Sequence, residues 1–142
     1  MTPKPTNSET LAQRIARHEG KRHRAYKDTV GKLTAGIGRN LEDVAFTDEE
    51  INLMYKNDLA RAKRGAETFY LYEMVNDIRR EVIIEMVFQM GLAGVGKFKK
   101  FFRAAQARDW EAAHKEMLDS KWAKKDSPVR ALELALIFRI GK

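Results

Sequence analysis

The sequence predicts a mostly α-helical α+β fold, with a small β-hairpin lobe ahead of a larger helical lobe. Three observations lead to this fold class. The chain has 142 residues, which is enough for one compact domain with a real core. Apolar residues recur at helical spacing over most of the chain after residue 47. The β-strand pattern, in contrast, is restricted to residues 25–37.

The N-terminal part predicts one helix followed by a hairpin. Thr6, with Glu9 three positions later, forms a pattern that is typical of a helix start. The helix should end near Glu19, because Gly20 can adopt the left-handed conformation of a helix cap. Two short strands and the turn between them are then expected at Ala25–Asp28, Val30–Gly31 and Lys32–Ile37.

The helical part begins with a clear capping box, Thr47 to Glu50, and its helix is expected to reach about Arg64. Asn76-Asp77 begins a second helix that is apolar on several sides, which indicates a buried position. This helix should end in the glycine-rich turn at residues 91–96. Three shorter helices are predicted after it: an amphipathic one with Phe98, Phe101, Phe102 and Ala105, one capped by Asp109, and one opened by Ser127-Pro128 with Leu132 and Leu136 facing inward.

These elements predict a single domain that comprises residues 1–142. The hairpin lobe is expected at about residues 18–46 and a connecting helix at about 47–65. The helical lobe is expected to combine residues of about 66–142 with the N-terminal helix.

Composition excludes several classes of function. The formal net charge of +7 favours polyanionic partners such as nucleic acid, an anionic membrane or an anionic cell-wall polymer. The charge is not accompanied by a nucleic-acid-binding motif, so no nucleic-acid partner is expected. The absence of cysteine excludes disulfides and thiol catalysis, and the three histidines lack metal-ligand spacing, so no metal or other cofactor is expected. We find neither an apolar run of ~20 residues nor a secretory signal in the first ten residues.

One stretch near the N-terminus holds the candidate catalytic groups. Glu19 lies near the negative end of the first helix dipole, which favours the protonated form that a general acid needs, although an isolated Glu-Gly pair is more typical of a plain surface glutamate. Asp28 is either a second catalytic carboxylate or a turn residue that bonds its own backbone. Thr34 is expected roughly across the hairpin from Asp28, where its hydroxyl could hold a water, although threonine is also common in strands. Gly36 and Gly38 let a backbone or a substrate approach closely.

Several short motifs follow one another in a fixed order. In the first part of the chain they are Glu19-Gly20, Tyr26-Lys27-Asp28-Thr29, Gly31, Thr34 and Gly36-Ile37-Gly38. Later ones are Arg79-Arg80, residues 86–91, Gly94-Val95, residues 110–113, residues 120–122, Pro128-Val129-Arg130 and Phe138-Arg139. Together they cover nearly all of residues 11–141, and the set resembles the T-even phage lysozyme family, the phage-type muramidases.

The resemblance implies a lysozyme-like fold and an endolysin that hydrolyses the β-1,4 bond between N-acetylmuramic acid and N-acetylglucosamine in peptidoglycan. It implies that Glu19 is the general acid and that Asp28 and Thr34 position the attacking water. Inversion is expected, with the two carboxyl groups about 6.5–9.5 Å apart. The resemblance also implies that Phe88 and Gln89 line the substrate cleft, and that Arg130 pairs with the catalytic glutamate.

The resemblance further implies host-cell lysis with peptidoglycan glycan strands as the partner. A monomer is expected to accumulate in the host cytoplasm, without a signal peptide, and to reach the wall in the periplasm through a separate membrane pore, a holin.

The sequence departs from the pattern of this family at two places. Arg39 occupies a position where the family often has a histidine, so an ion pair of that histidine is lost or remade. The short segment 40–46 predicts less sheet and a more open cleft, and the end of the chain soon after Arg139 predicts no terminal extension.

Other function classes stay open at this point. The protein could be a catalytically silent peptidoglycan-binding module, or a cationic protein that disrupts membranes without catalysis. The basic aromatic segment 97–103 is the candidate membrane surface, although we favour its interpretation as a solvated face over packed phenylalanines. A transglycosylase would keep the acid but release an anhydro product instead of a hydrated one.

Overall fold

The computed structural model describes residues 8–142, which fold as two compact units. The first unit ends at Ile51 and the second begins at Asn52, so the boundary falls inside a helix. The helix start predicted at Thr6 lies outside the described residues.

The first unit contains one helix and a small antiparallel sheet. Helix α1 spans Leu11–Glu19, and three strands follow in the sheet order β1-β2-β3. Their bounds are Arg22–Lys27 for β1, Leu33–Gly36 for β2 and Arg39–Asn40 for β3. The α+β fold class predicted from the sequence is therefore confirmed.

The ends of α1 are set by local chemistry. Thr10 Oγ1 accepts a hydrogen bond from the Gln13 N–H at 3.1 Å, and Gln13 Oε1 accepts one from the Thr10 N–H at 2.9 Å. This reciprocal capping box begins the helix at Leu11. The predicted end at Glu19 is confirmed. Gly20 has the positive φ that favours glycine, 77°, but its ψ of 163° differs from the left-handed helical cap that we expected.

The sheet differs from the prediction in its limits. Strand β1 begins at Arg22 instead of Ala25, β2 ends at Gly36, and the two-residue β3 was not predicted. Arg22 pairs with Gly36 and Tyr26 with Thr34, so β1 has two more residues than β2 between these pairs. The extra residues form a bulge, and the short strands of such a distorted sheet lack a clear alternating pattern.

The helical part contains six further α-helices and one π-helical turn. The helices are α2 (Asp48–Glu67), α3 (Tyr70–Met74), α4 (Asp77–Gly96), α5 (Lys99–Gln106), α6 (Trp110–Leu118) and α7 (Pro128–Ile140), and the π-helical turn spans Trp122–Asp126. The predicted caps are confirmed for three of them. Thr47 and Glu50 bond each other's backbone N–H ahead of α2, the Asn76 side chain accepts from the Arg79 N–H, and Asp109 accepts from the Ala112 N–H.

Three features of these helices contradict the sequence-based expectations. Residues 91–96 are not the glycine-rich turn that we expected at the end of α4: Gly91, with φ 78°, kinks the helix, which then resumes and ends at Gly96. Ser127 makes no side-chain cap on α7. Leu132 and Leu136 are exposed, and the core side of α7 carries Leu134 and Phe138 instead. Helix α3 and the π-helical turn were not predicted.

The hydrophobic core lies in the second unit, around α4 and α7. Its largest fully buried side chains include Phe101, Phe138, Leu71, Ile83, Met86 and Met117. Arg79 binds the C-terminal end of α7, where its Nε donates to Phe138 O at 2.6 Å. Its guanidinium also lies 3.8 Å from the centre of the Trp110 ring. Burial lowers the pKa of Arg79 from its ordinary value.

Among residues 8–142, no helix combines the length and the apolar character that spanning a membrane requires.

Candidate active site

The first unit places Glu19 against the turn between β2 and β3. A Cβ atom built on Gly38 would lie 2.6 Å from the Glu19 Cδ and 2.9 Å from its Cγ, both far inside van der Waals contact. Gly38 also has a φ of 68°, which side-chain-bearing residues rarely adopt. The glycine therefore makes the space that the Glu19 carboxyl occupies, whereas we expected a backbone or a substrate to approach there.

Asp28 is held by the turn that follows it. Its Oδ1 accepts hydrogen bonds from the Val30 N–H at 3.0 Å and the Lys32 N–H at 2.8 Å. The turn is closed by the Gly31 N–H, which donates to Asp28 O at 3.0 Å, and Gly31 has a φ of 83°. The interpretation of Asp28 as a turn residue is therefore correct. Within residues 8–142 the other carboxylate oxygen, Oδ2, makes no hydrogen bond, so it is available to a ligand.

Thr34 lies on β2 and is 4% exposed, which makes it the only buried residue in the described part of the first unit. Its Oγ1 donates to Lys32 O at 3.0 Å. The expected position across the hairpin from Asp28 is wrong, because Thr34 pairs with Tyr26 and Asp28 bonds the backbone of Lys32. The difference arises from the length of the turn. Asp28 bonds the backbone of Lys32, four residues later, whereas the prediction placed Thr34, six residues later, opposite it.

The backbone of Lys32 nevertheless connects the two side chains. Its N–H donates to Asp28 Oδ1, and its carbonyl accepts from Thr34 Oγ1. Since the Thr34 hydroxyl proton is used in this bond, the same oxygen can offer only a lone pair to a ligand. The first unit thus supplies one carboxyl beside Gly38 and two hydrogen-bond acceptors, Asp28 Oδ2 and Thr34 Oγ1.

Arg39 makes a new ion pair close to these groups in sequence. Its guanidinium donates to both carboxylate oxygens of Glu50, one of them at 3.1 Å, and lies 5.8 Å from the centre of the Phe46 ring. The backbone N–H of Thr47 and the Arg39 guanidinium together lower the pKa of Glu50 to about 2. Arg39 thus pairs with Glu50, a partner that no sequence pattern had indicated.

In the second unit, Gln89 is held at both ends of its carboxamide. Trp122 Nε1 donates to Gln89 Oε1 at 2.9 Å, and Gln89 Nε2 donates to Ser127 Oγ at 2.6 Å. An indole N–H can only donate, so the orientation of the carboxamide is determined by chemistry. One N–H and one carbonyl lone pair remain for a ligand. This contact also explains why the Ser127 hydroxyl does not cap α7.

Phe88 and Arg130 line one groove of the second unit, of about 590 Å³, whereas Gln89 does not line it. Phe88 is 40% exposed and packs edge-to-face on Tyr55, with ring centres 6.0 Å apart. Arg130 Nε donates to Glu85 Oε2 at 2.6 Å. The pairing of Arg130 with Glu19 stays a prediction.

Sequence reasoning missed several side chains that position the candidates. Glu85 is a single carboxylate in the otherwise apolar run of residues 82–88, and that isolation was a usable signal. Trp122 and Ser127 meet Gln89 across more than 30 positions of sequence, which no local pattern reveals. Within residues 8–142, no three His, Asp or Glu side chains are grouped so that they could hold a metal ion.

A helix that ends in a carboxylate, a small antiparallel sheet with a second carboxylate in its turn, and a larger helical unit define a lysozyme-like α+β protein. The chain belongs to the phage lysozyme family, whose sequence model matches residues 16–135.

Three relatives are similar to this chain, and two of them are named as probable T4-type lysozymes. The pre-baseplate central spike protein Gp5 of Enterobacteria phage T4 is 30% identical over 93% of this chain, which spans only 28% of that longer protein. Probable T4-type lysozyme 1 of Dictyostelium discoideum is 30% identical, with 73% of this chain and 79% of the relative covered. Probable T4-type lysozyme 2 of the same organism is 24% identical, with 93% and 95% covered.

Substituting Gly38 by alanine should displace the Glu19 carboxyl and destabilise the protein. The new Cβ meets the carboxyl group and forces a side chain into positive φ, which costs about 1–2 kcal/mol for the backbone alone. Chemical unfolding gives the stability, and the NMR signal of the Glu19 carboxyl carbon reports its displacement.

Gly36→Ala is the matched control, because Gly36 has a φ of 66° but no atom within 4 Å of the added Cβ. It should show the backbone cost without a shift of the Glu19 signal. Equal shifts in both variants would contradict the close packing of Glu19 on Gly38.

Glu50→Gln should reduce the dependence of stability on acid pH. Because the folded pKa of Glu50, about 2, is below its ordinary value of 4.5, its contribution is present above pH 4.5 and is lost as the pH falls towards 2. We expect the variant to be less stable than the wild type at pH 6, with the difference shrinking across that window. Urea unfolding at several pH values measures the difference in unfolding free energy between the two proteins. Glu49→Gln in the same helical turn is the control. If the difference between the wild type and Glu50→Gln stays constant with pH, the Arg39 and Thr47 contacts do not lower the pKa of Glu50.

Proposed function

We propose that the chain is a muramidase that hydrolyses the β-1,4 bond between N-acetylmuramic acid and N-acetylglucosamine in peptidoglycan, with inversion. Membership of the phage lysozyme family supports a glycoside hydrolase. The observation that carries the assignment to particular residues is the arrangement in the first unit. There the Glu19 carboxyl packs on Gly38 while Asp28 and Thr34 are anchored on one backbone residue.

In this proposal Glu19 donates its proton to the glycosidic oxygen as the bond from that oxygen to the anomeric carbon breaks. A water molecule forms the new bond to the anomeric carbon, and its proton passes to Asp28. Asp28 Oδ2 and Thr34 Oγ1 both act as acceptors, so both hydrogens of the water are held and its lone pair is directed at carbon. For inversion, the carboxyl carbons of Glu19 and Asp28 should be about 6.5–9.5 Å apart when substrate is bound.

We assign substrate contacts in the second unit to Phe88, Gln89 and Arg130. The exposed ring of Phe88 offers an apolar surface to a sugar face, and the free N–H and carbonyl lone pair of Gln89 suit an amide group. The guanidinium of Arg130 keeps donors beyond the one bound by Glu85.

Glu19→Gln should lower the rate of peptidoglycan hydrolysis by at least about 100-fold, because a general acid contributes about 10²–10⁴ in rate. Thermal unfolding should stay nearly unchanged, since Glu19 is exposed. The rate is measured as loss of turbidity of permeabilised Gram-negative cells. Glu67→Gln is the matched control, because Glu67 is likewise the exposed last residue of a helix.

The products decide between the chemical alternatives. Mass spectrometry of the muropeptides should show hydrated reducing ends on muramic acid, and NMR of the fresh product should show the α-anomer first. Anhydro ends would identify a transglycosylase, and a fully active Glu19→Gln variant would refute the assignment. Cell killing that persists in that variant would favour the membrane-disrupting alternative.

The biological setting has two candidates. As an endolysin, the protein would accumulate in the host cytoplasm and reach the periplasm through a separate pore to lyse the host. The relative named as a pre-baseplate central spike protein favours a second candidate, in which the same hydrolytic domain works as part of a phage baseplate. Mass spectrometry of purified particles from the encoding phage separates them: peptides of this chain within particles support the baseplate role, and their restriction to lysates supports the endolysin.

A further inference from the structure

Strand β1 is a strongly basic, exposed edge of the sheet. Residues 21–27 contain four lysines and arginines, one histidine and no acid. Six of these seven residues are exposed, and Tyr26 is half-buried. The eight ion pairs found within residues 8–142 use none of these four cations: Lys21, Arg22, Arg24 and Lys27. This edge therefore carries positive charge that the described part of the protein does not neutralise.

One cation of this edge has a fixed place. The Arg22 guanidinium lies 4.8 Å from the centre of the Tyr26 ring, a cation–π distance. The bulge between these two residues brings them together, since bulges redirect the side chains of a strand. Stacking limits the motion of the guanidinium and leaves its planar N–H donors free to bind a carboxylate through two bonds.

Arg22 and Tyr26 share a face of the sheet with Thr34. Tyr26 is directly opposite Thr34, and side chains of directly opposed residues lie on the same face. Arg22 is opposite Gly36, where an added Cβ would find no atom within 4 Å. The surface beside Thr34 is thus open above Gly36 and bordered by the stacked arginine.

We propose that Arg22, stacked on Tyr26, binds the carboxylates of the peptide stems of peptidoglycan. This inference rests on the proposed function: Gly36, opposite Arg22, is two residues along β2 from Thr34, so a strand bound at Thr34 is within reach of Arg22. The sugars of that strand are neutral, and its negative charge resides on the peptide stems. Arg22 therefore selects stem-bearing strands over bare glycan.

Binding can be tested without hydrolysis, in protein carrying Glu19→Gln. Insoluble sacculi are used either native or after conversion of their stem carboxylates to methylamides with a carbodiimide and methylamine, and bound protein is measured by co-sedimentation at low salt. Arg22→Ala should weaken binding to native sacculi about fivefold, the effect of one exposed charged contact, and leave binding to amidated sacculi unchanged. Arg22→Lys should keep part of the affinity.

Arg14→Ala is the control, since it removes the same charge from the exposed surface of α1. It should weaken binding to both kinds of sacculi equally, if at all. If Arg22→Ala loses affinity equally for native and amidated sacculi, the proposal is overturned. The same holds if the variant loses affinity only for other polyanions, DNA or lipopolysaccharide, and not for native sacculi. In the active protein, Arg22→Ala should raise KM more than it lowers kcat. If the active protein releases no reducing ends, the proposed function fails while the sedimentation result still decides the role of Arg22.

Discussion

The hydrogen bonds of one backbone residue, Lys32, are the contacts on which the candidate site depends. Its carbonyl accepts from the Asp28 N–H and from Thr34 Oγ1, and its N–H donates to Asp28 Oδ1. The described part of the first unit buries almost no apolar side chain, so burial cannot hold these groups in place. Hydrogen bonds with defined directions do so instead, and they leave one acceptor on Asp28 and one on Thr34 pointing away from the backbone. The site is therefore ordered by polar contacts of the turn, and the large core of the second unit is not needed to explain it.

The second unit orders its polar groups differently, by pairing side chains of different helical segments. The carboxamide of Gln89 lies between an indole donor and a hydroxyl acceptor, and its orientation follows from the fact that Trp122 can only donate. Arg130 is likewise held by Glu85. These contacts connect α4 with the π-helical turn and with α7. The packing of these helical segments therefore also places the polar groups. A change in the core of this unit should consequently alter both groups together.

The parts of the fold that could be predicted from sequence are those whose cause is local. The capping residues ahead of α2, α4 and α6 bond N–H groups three positions away, and such contacts are visible as short patterns. The end of α1 and the turn at Asp28 were predictable for the same reason. Helix α3, strand β3 and the exposure of Leu132 were not, because they depend on which surfaces meet in three dimensions. Ser127 is the clearest example: its local pattern predicts a cap, but a distant glutamine binds the hydroxyl. Among the site residues, sequence placed Glu19 correctly at the end of α1 but did not reveal its contact with Gly38, and it misplaced Thr34 by the register of one turn.

The ion pair between Arg39 and Glu50 determines how the junction between β3 and α2 responds to pH. A histidine in this position would lose its charge near neutral pH and weaken any ion pair that it makes. A guanidinium stays protonated throughout the accessible range, so only Glu50 can break the pair. Glu50 also accepts the Thr47 N–H at the start of α2, and both contacts favour its ionised form. Since the pKa of Glu50 is about 2, the junction between β3 and α2 keeps its charges through neutral and alkaline conditions. A single carboxylate, that of Glu50, thus sets the acid limit of this ion pair.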